Sequence, residues 1–407
     1  MRSESRVIRY AEPTIGKEEI AAVAACLRKN ELSLGRRGDE FCTKFSDYLG
    51  VHSTLLVNSG SSANLLALAA LKQVYGIQDV VLPAVLFPTS LSAVLMNGLK
   101  PVIIDVDAGT YNMSLERQEQ VMPALRKPCI FVQHTLGNPV DMFKVRAMAA
   151  EYGALIIEDF CDALGSELND QRVGVFGELS TCSFYPAHTI TMGEGGSISL
   201  REDDEPLYRK LISLRDWGRD CHCTRDSGAN GACGNRFAYE VESGLTYDHR
   251  YVYTSLGYSM RPTEFQAAMG LEQLKRLDWI VERRRENYEY LTKRLGELGD
   301  MLQLPHMVYG ANPCWFAYPI TLSDTFSGTR EDFLRYLESN GIQTRVMLAG
   351  NVTRQPIFKQ YRNNLVNADR IMRRSFFVGV HQNLDESDLD YVADAFLEYA
   401  RAERCKF

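Results

Sequence analysis

The sequence predicts an α/β protein: a mostly parallel central sheet followed by a smaller C-terminal α/β domain. Three observations predict it. Between about residues 50 and 200, short apolar runs alternate with amphipathic stretches, and strands alternating with helices imply a parallel sheet covered on both faces. Residues 217–255 then break the rhythm. A long helical pattern from Pro262 to Leu295 finally leads into a second, shorter α/β stretch. The 407 residues exceed what one compact core holds. The expected division is 1–284 for a large domain and 285–407 for a small one, with the N-terminal segment packing on the small one.

In chain order, the expected strands are 54–57, 80–82, 102–104, 129–133, 155–157, 181–184 and 197–200. Each is a short apolar run. Between them, 61–75 and 142–152 carry helical periodicity. Asp220 to Arg236 is rich in Gly, Cys, Asn and Asp without a period and reads as a loop; long loops in compact enzymes are commonly functional. Pro262 suits a first helical position, and Phe265, Met269, Leu274, Leu277 and Val281 form an apolar stripe behind it.

Composition narrows the function. A formal charge of −7 argues against a general nucleic-acid or membrane-surface binder. No apolar run is long enough to cross a bilayer, and the start lacks the apolar core of a signal peptide. A cytoplasmic chain is expected, in which the ten cysteines are thiols rather than disulfides.

Three segments carry candidate chemistry. In Asn58-Ser59-Gly60-Ser61-Ser62-Ala63-Asn64, small residues turn the chain from a strand into a helix. The free amides of Gly60, Ser61 and Ser62 would make an anion site, although the pattern alone reads equally as a capped helix start. In Leu155-Ile156-Ile157-Glu158-Asp159-Phe160-Cys161-Asp162-Ala163, an acidic residue leaves the carboxyl end of a buried strand, where ligands bind in open α/β sheets. Ser183-Phe184-Tyr185-Pro186-Ala187-His188 runs on to Gly193, Gly195 and Gly196, which allow close backbone approach.

These segments, with Gly257-Tyr258-Ser259-Met260-Arg261-Pro262-Thr263-Glu264, resemble in order and separation the sugar aminotransferases of the DegT/DnrJ/EryC/StrS family, which are fold-type I pyridoxal phosphate enzymes. The resemblance runs from about Ile15 to Tyr391. It implies that Asp159 pairs with the ring nitrogen, that Ser61, Ser62 and Ser183 hold the phosphate, that Phe87 stacks on the ring and that Asp162 lies near the ring hydroxyl. In that family a lysine at the position of His188 holds the cofactor covalently. A histidine cannot, so ordinary amino transfer is excluded. A homodimer is also implied, although Ser259 replaces an asparagine that in many members reaches the neighbouring subunit.

Cysteines add a second constellation. Cys161, Cys221, Cys223 and Cys233 are separated by 59, one and nine residues. Four thiolates can ligate a 2Fe–2S cluster or a tetrahedral zinc, and unassigned buried thiols are the plain alternative. Cys26, Cys42, Cys129, Cys182, Cys314 and Cys405 are expected to be such thiols. With His188 and Arg215-Asp216-Trp217-Gly218-Arg219-Asp220-Cys221-His222-Cys223, the pattern is similar to the subgroup of CDP-6-deoxy-L-threo-D-glycero-4-hexulose 3-dehydrase. Two features depart from it: Thr189 stands where a second histidine is common, and the Cys223–Cys233 loop is longer.

The subgroup resemblance implies non-covalent pyridoxamine 5′-phosphate and a nucleotide-linked 4-keto-6-deoxyhexose. His188 acts as the base, the C3 hydroxyl leaves, and a 2Fe–2S cluster delivers two electrons to give a 4-keto-3,6-dideoxy sugar. It also implies a flavin and iron–sulfur reductase fed by NAD(P)H as partner. Arg261, Arg345 and Arg354 are candidates for substrate phosphates. The alternatives are a cluster-free 3-dehydratase whose cofactor glutamate regenerates, and a non-catalytic relative.

Overall fold

The computed structural model describes residues 6–221 and 234–404. Its main sheet has seven strands in the order Ser53–Val57, Gly196–Leu200, Leu179–Ser183, Leu155–Asp159, Cys129–Gln133, Asp79–Pro83 and Lys100–Ile104. All seven are the apolar runs singled out in the sequence. Six run in one direction; Gly196–Leu200 is antiparallel to both of its neighbours. Strands such as Asp79–Pro83 and Cys129–Gln133 are buried at every position because helices cover both faces. Gly60–Tyr75 packs in one apolar layer and Met142–Tyr152 in the other. Ser59 caps the first of these helices by accepting from the Ser62 amide at 3.1 Å. Gly76 and Gly153 end the two helices at positive φ (70° and 62°), where a side chain would be strained.

A second sheet pairs Leu302–Gln303, Tyr318–Leu322, Ser375–Val378 and Arg345–Val346, all antiparallel. It packs with Arg330–Ser339 and Glu386–Arg404 around a core of its own. Ile8 belongs to that core and bridges to Ile342, so the N-terminal segment joins the C-terminal half. The 284/285 boundary expected from the sequence falls inside helix Leu277–Arg294. The first turns of this helix, with Ile280 and Val281, pack under the main sheet, while Tyr288 and Leu291 pack in the second core. One helix thus serves both cores.

Three expectations need correcting. The pattern from Pro262 to Leu295 is two helices, Glu264–Leu274 and Leu277–Arg294, and Pro262 precedes the Thr263 cap rather than opening the helix. The face that Glu264–Leu274 buries is Ala267, Ala268 and Leu271, against helices Lys17–Arg28 and Arg36–Leu49, while Phe265 and Met269 are only half-buried. The irregular stretch before it contains a hairpin, Tyr239–Glu242 with Leu245–Tyr247, exposed along both strands. No helix among the described residues is long and apolar enough to cross a membrane.

Candidate active site

A cavity of about 810 Å³ opens at the carboxyl ends of the parallel strands, between the two sheets. Asp159, Cys161, Asp162, Ser183 and His188 line it from the main sheet, and Phe316, Arg345 and Phe377 line it from the C-terminal half. Gly60, Ser61 and Phe87 complete the wall.

Asp159 ends its strand and is 4% exposed. Its oxygens accept from Asn64 Nδ2 at 2.8 Å and from the Cys161 amide at 3.1 Å. Burial pushes its carboxyl above the usual range, and these hydrogen bonds oppose the shift. Asn64 is itself oriented by Thr181, whose hydroxyl donates to Asn64 Oδ1 at 2.6 Å. The carboxylate is therefore aimed and fixed at a place where a nearby cation would favour its ionised form.

Gly60 opens helix Gly60–Tyr75 so close to the neighbouring strand that an added Cβ would stand 2.7 Å from Ser183 Cβ and 3.1 Å from Cys161 Sγ. The turn admits only glycine, and the first amides of the helix come free beside Ser183. Ser61 shares a 2.7 Å hydrogen bond with Thr89. Ser62, expected on the phosphate, does not line the cavity; its hydroxyl accepts from Ser59 Oγ at 3.0 Å, within the helix cap. Phe87 is 54% exposed and lines the opening, so it is not a core residue.

His188 sits in a turn whose amide donates to the Tyr185 carbonyl at 3.0 Å. Its ring lies 5.4 Å from Phe316. Nδ1 is 3.5 Å from Asp162 Oδ1, without hydrogen-bond geometry, and is otherwise unpaired. Burial, aided by the Arg284 cation, brings its pKa down to about 3. Asp162 is pushed up to about 7 by burial and by the charge of Asp159. Arg284 is 1% exposed; it donates to the carbonyls of Phe316 at 3.0 Å and His188 at 3.4 Å and so ties the two walls together. No lysine lines the cavity among the described residues.

The lining fits a pyridoxamine phosphate. It offers a fixed, buried carboxylate for the ring nitrogen and a glycine-turned helix start with hydroxyls for the phosphate. Asp162 and Gln133 line the same space. Sequence reasoning missed Asn64, Thr89, Gln133, Arg284 and Phe316. Asn64 stood inside the string already quoted, and a polar side chain in the first turns of the helix after a strand was its signal.

Other expected residues fall elsewhere. Arg354 forms a two-pronged ion pair with Asp369 and lies outside the cavity. Arg261 lies over the Trp217 ring at 4.3 Å with Asp216 at 3.5 Å, also outside it. Arg345 alone of the three lines it. Cys26, Cys129, Cys182 and Cys314 are buried as expected, Cys42 is intermediate, and Cys405 lies outside the described residues. Of the cluster cysteines, Cys161 lines the cavity and Cys221 is half-buried, while Cys223 and Cys233 lie outside the described residues. Among the described residues, no group of three or more His, Cys, Asp or Glu could hold a metal ion. Thr189 donates to the Leu164 carbonyl at 3.2 Å and is buried away from the cavity.

Known proteins resemble this chain. The lipopolysaccharide biosynthesis protein RfbH of Salmonella typhimurium is 40% identical over 95% of this chain and 90% of its own length. The dTDP-4-dehydro-2,6-dideoxy-D-glucose 3-dehydratase of Saccharopolyspora spinosa is 36% identical over 97% and 87%. A crystal structure of GDP-4-keto-6-deoxymannose-3-dehydratase with a trapped PLP–glutamate geminal diamine superposes with a TM-score of 0.84, at 26% identity over 95% of this chain and 99% of that one. The family profile matches residues 13–397, and the chain belongs to the DegT/DnrJ/EryC1/StrS aminotransferase family.

Proposed function

We propose that the protein catalyses C3 dehydration of a nucleotide-linked 4-keto-6-deoxyhexose, with pyridoxamine 5′-phosphate held without a covalent link. One observation carries the reading: a histidine, not a lysine, lines the cavity that the buried Asp159 also faces. Two relatives are named as 3-dehydratases of 4-keto deoxysugars, which supports the same reading. The cofactor supplies an amine for the 4-keto group and a ring that accepts an electron pair. Asp159 would keep the ring nitrogen protonated; Gly60, Ser61 and Ser183 would hold the phosphate; and Phe87 would pack against the ring.

His188 is the base. Burial keeps it unprotonated across the physiological range, the form a proton acceptor must have. Asp162, with Oδ1 3.5 Å from Nδ1, balances the charge once the proton arrives on the imidazole. With no lysine to return that proton on the substrate side, loss of the C3 hydroxyl becomes the outcome. The sign of the pH dependence follows. Asp162 ionises as pH rises through about 7, so kcat/KM climbs across that interval. Asp162→Asn lowers activity and removes this limb, as a pH profile of both proteins would show; an unchanged limb in the variant would remove Asp162 from the base.

For return of the cofactor to its amine form, the glutamate route has the better support, from the PLP–glutamate species trapped in a solved relative. A homodimer is the working form expected for either route. The reductive route, with a 2Fe–2S cluster and an iron–sulfur flavin reductase, is the second reading. It rests on the spacing of Cys161, Cys221, Cys223 and Cys233 and on the placement of Cys161 in the cavity. Turnover by protein purified without oxygen separates them. Dependence on glutamate with ammonia release supports the first. Stoichiometric iron and sulfide, with turnover requiring an electron donor, supports the second and overturns the first.

A further inference from the structure

The N-terminal residues form a strap built into the cavity wall. Ile8 exchanges backbone hydrogen bonds with Gly341 and Gln343, each 2.9 Å. His381 Nε2 lies 3.2 Å from the Arg9 carbonyl, and Gln382 Nε2 donates to the Glu12 carbonyl at 3.1 Å. A Cβ at Gly379 would stand 2.3 Å from the Arg9 carbonyl oxygen, so the strap lies directly on that glycine. Residue 10 is thereby fixed between its anchors. The Tyr10 ring enters the cavity, tilted against Phe377 at 6.1 Å, with the Arg345 guanidinium 4.2 Å above it.

Arg345 is the one Lys or Arg side chain lining the cavity among the described residues. It donates to the Thr344 carbonyl at 2.7 Å, and no carboxylate among the described residues pairs with it. Arg354 and Arg261, by contrast, are committed to Asp369 and Asp216. A guanidinium has five donors in a planar fork suited to phosphate oxygens. Stacking on an aromatic ring holds that plane without using the donors.

We propose that Arg345 binds the diphosphate of a nucleoside-diphosphate sugar and that Tyr10, carried by the strap, is the positioning residue that orients it. The proposal rests on the reading that the substrate is nucleotide-linked. It adds the N-terminal segment to the substrate site.

The test is equilibrium binding of GDP, CDP and dTDP, each alone, to the protein loaded with pyridoxamine phosphate. The nucleotide that binds the wild type most tightly should bind R345M about tenfold or more weakly, the loss of a charge-assisted fork. Tyr10→Ala should weaken it about threefold to tenfold, and Tyr10→Phe, which keeps the ring face, should stay within about twofold. Tyr10→Leu, which fills the space without a ring face, should resemble Tyr10→Ala and guards against a mere packing defect. In turnover, the Tyr10→Leu effect should fall on KM with kcat nearly unchanged. Wild-type binding by R345M or Tyr10→Leu, or a wild type that binds none of the three nucleotides, would overturn the proposal. Nucleotide binding needs no chemistry, so a grip that survives in a protein that leaves C3 untouched would sink the dehydratase reading alone.

Discussion

Replacing His188 with asparagine lowers the rate of C3 dehydration by about 10²–10⁴-fold, the usual worth of a positioned base. Asparagine keeps much of the shape and cannot accept a proton at neutral pH. The loss should fall on kcat, because His188 is not among the groups assigned to the phosphate or the ring nitrogen. Cofactor binding, followed by absorbance on titration with pyridoxamine phosphate, should stay within about threefold of the wild type, since no transition-state contact is tested in that equilibrium. The packing argues the same way. The turn that carries residue 188 is held by its own amide and by Arg284 on its carbonyl, neither of which involves the imidazole. A variant that retained most of its turnover would place the base elsewhere in the cavity.

The second large effect is expected at Asp159. Asparagine there removes the negative charge while Asn64 and the Cys161 amide still face the site. A protonated ring nitrogen would lose its partner in a buried place, and truncating one side of such a pair costs about 2–5 kcal/mol. The affinity for pyridoxamine phosphate should fall correspondingly, by about 30-fold to several thousand-fold. The wild-type carboxylate is costly to hold in the empty protein, because burial raises its pKa. Asp159→Asn should therefore leave the melting temperature of the cofactor-free protein unchanged or higher, while abolishing most of the rise that the cofactor gives the wild type. A melting temperature that still rose normally with cofactor would contradict the pairing.

The strands of the main sheet are legible in the sequence because most hold short apolar runs buried at nearly every position; the edge strand Lys100–Ile104 is largely half-buried. The exposed hairpin at 239–247 is not legible, because a strand with no buried face leaves no apolar pattern to read. The helix Glu264–Leu274 misleads for a related reason. Its buried face is made of Ala267 and Ala268, small enough for neighbouring helices to approach, while the larger Phe265 and Met269 stay half-buried. In the site, Asp159 and Ser183 are legible because strand ends place them, and His188 because it stands where a family resemblance expects lysine. Asn64 is harder to find, since its meaning lies in a hydrogen bond to a residue 95 positions away. Arg284, Arg261 and Arg354 show the same limit: charge is visible in a sequence, but the groups that bury or neutralise it are not.

The most direct measurement is mass analysis of the sugar product. The protein, loaded with pyridoxamine phosphate and supplied with glutamate or with a reductase and NAD(P)H, is offered CDP-, dTDP- and GDP-linked 4-keto-6-deoxyhexoses. Loss of the C3 hydroxyl predicts a product lighter by one oxygen atom, with the 4-keto group retained and with formation suppressed in His188→Asn. An amino sugar, in which nitrogen replaces the 4-keto oxygen, would contradict the account, as would unchanged substrate from all three nucleotides.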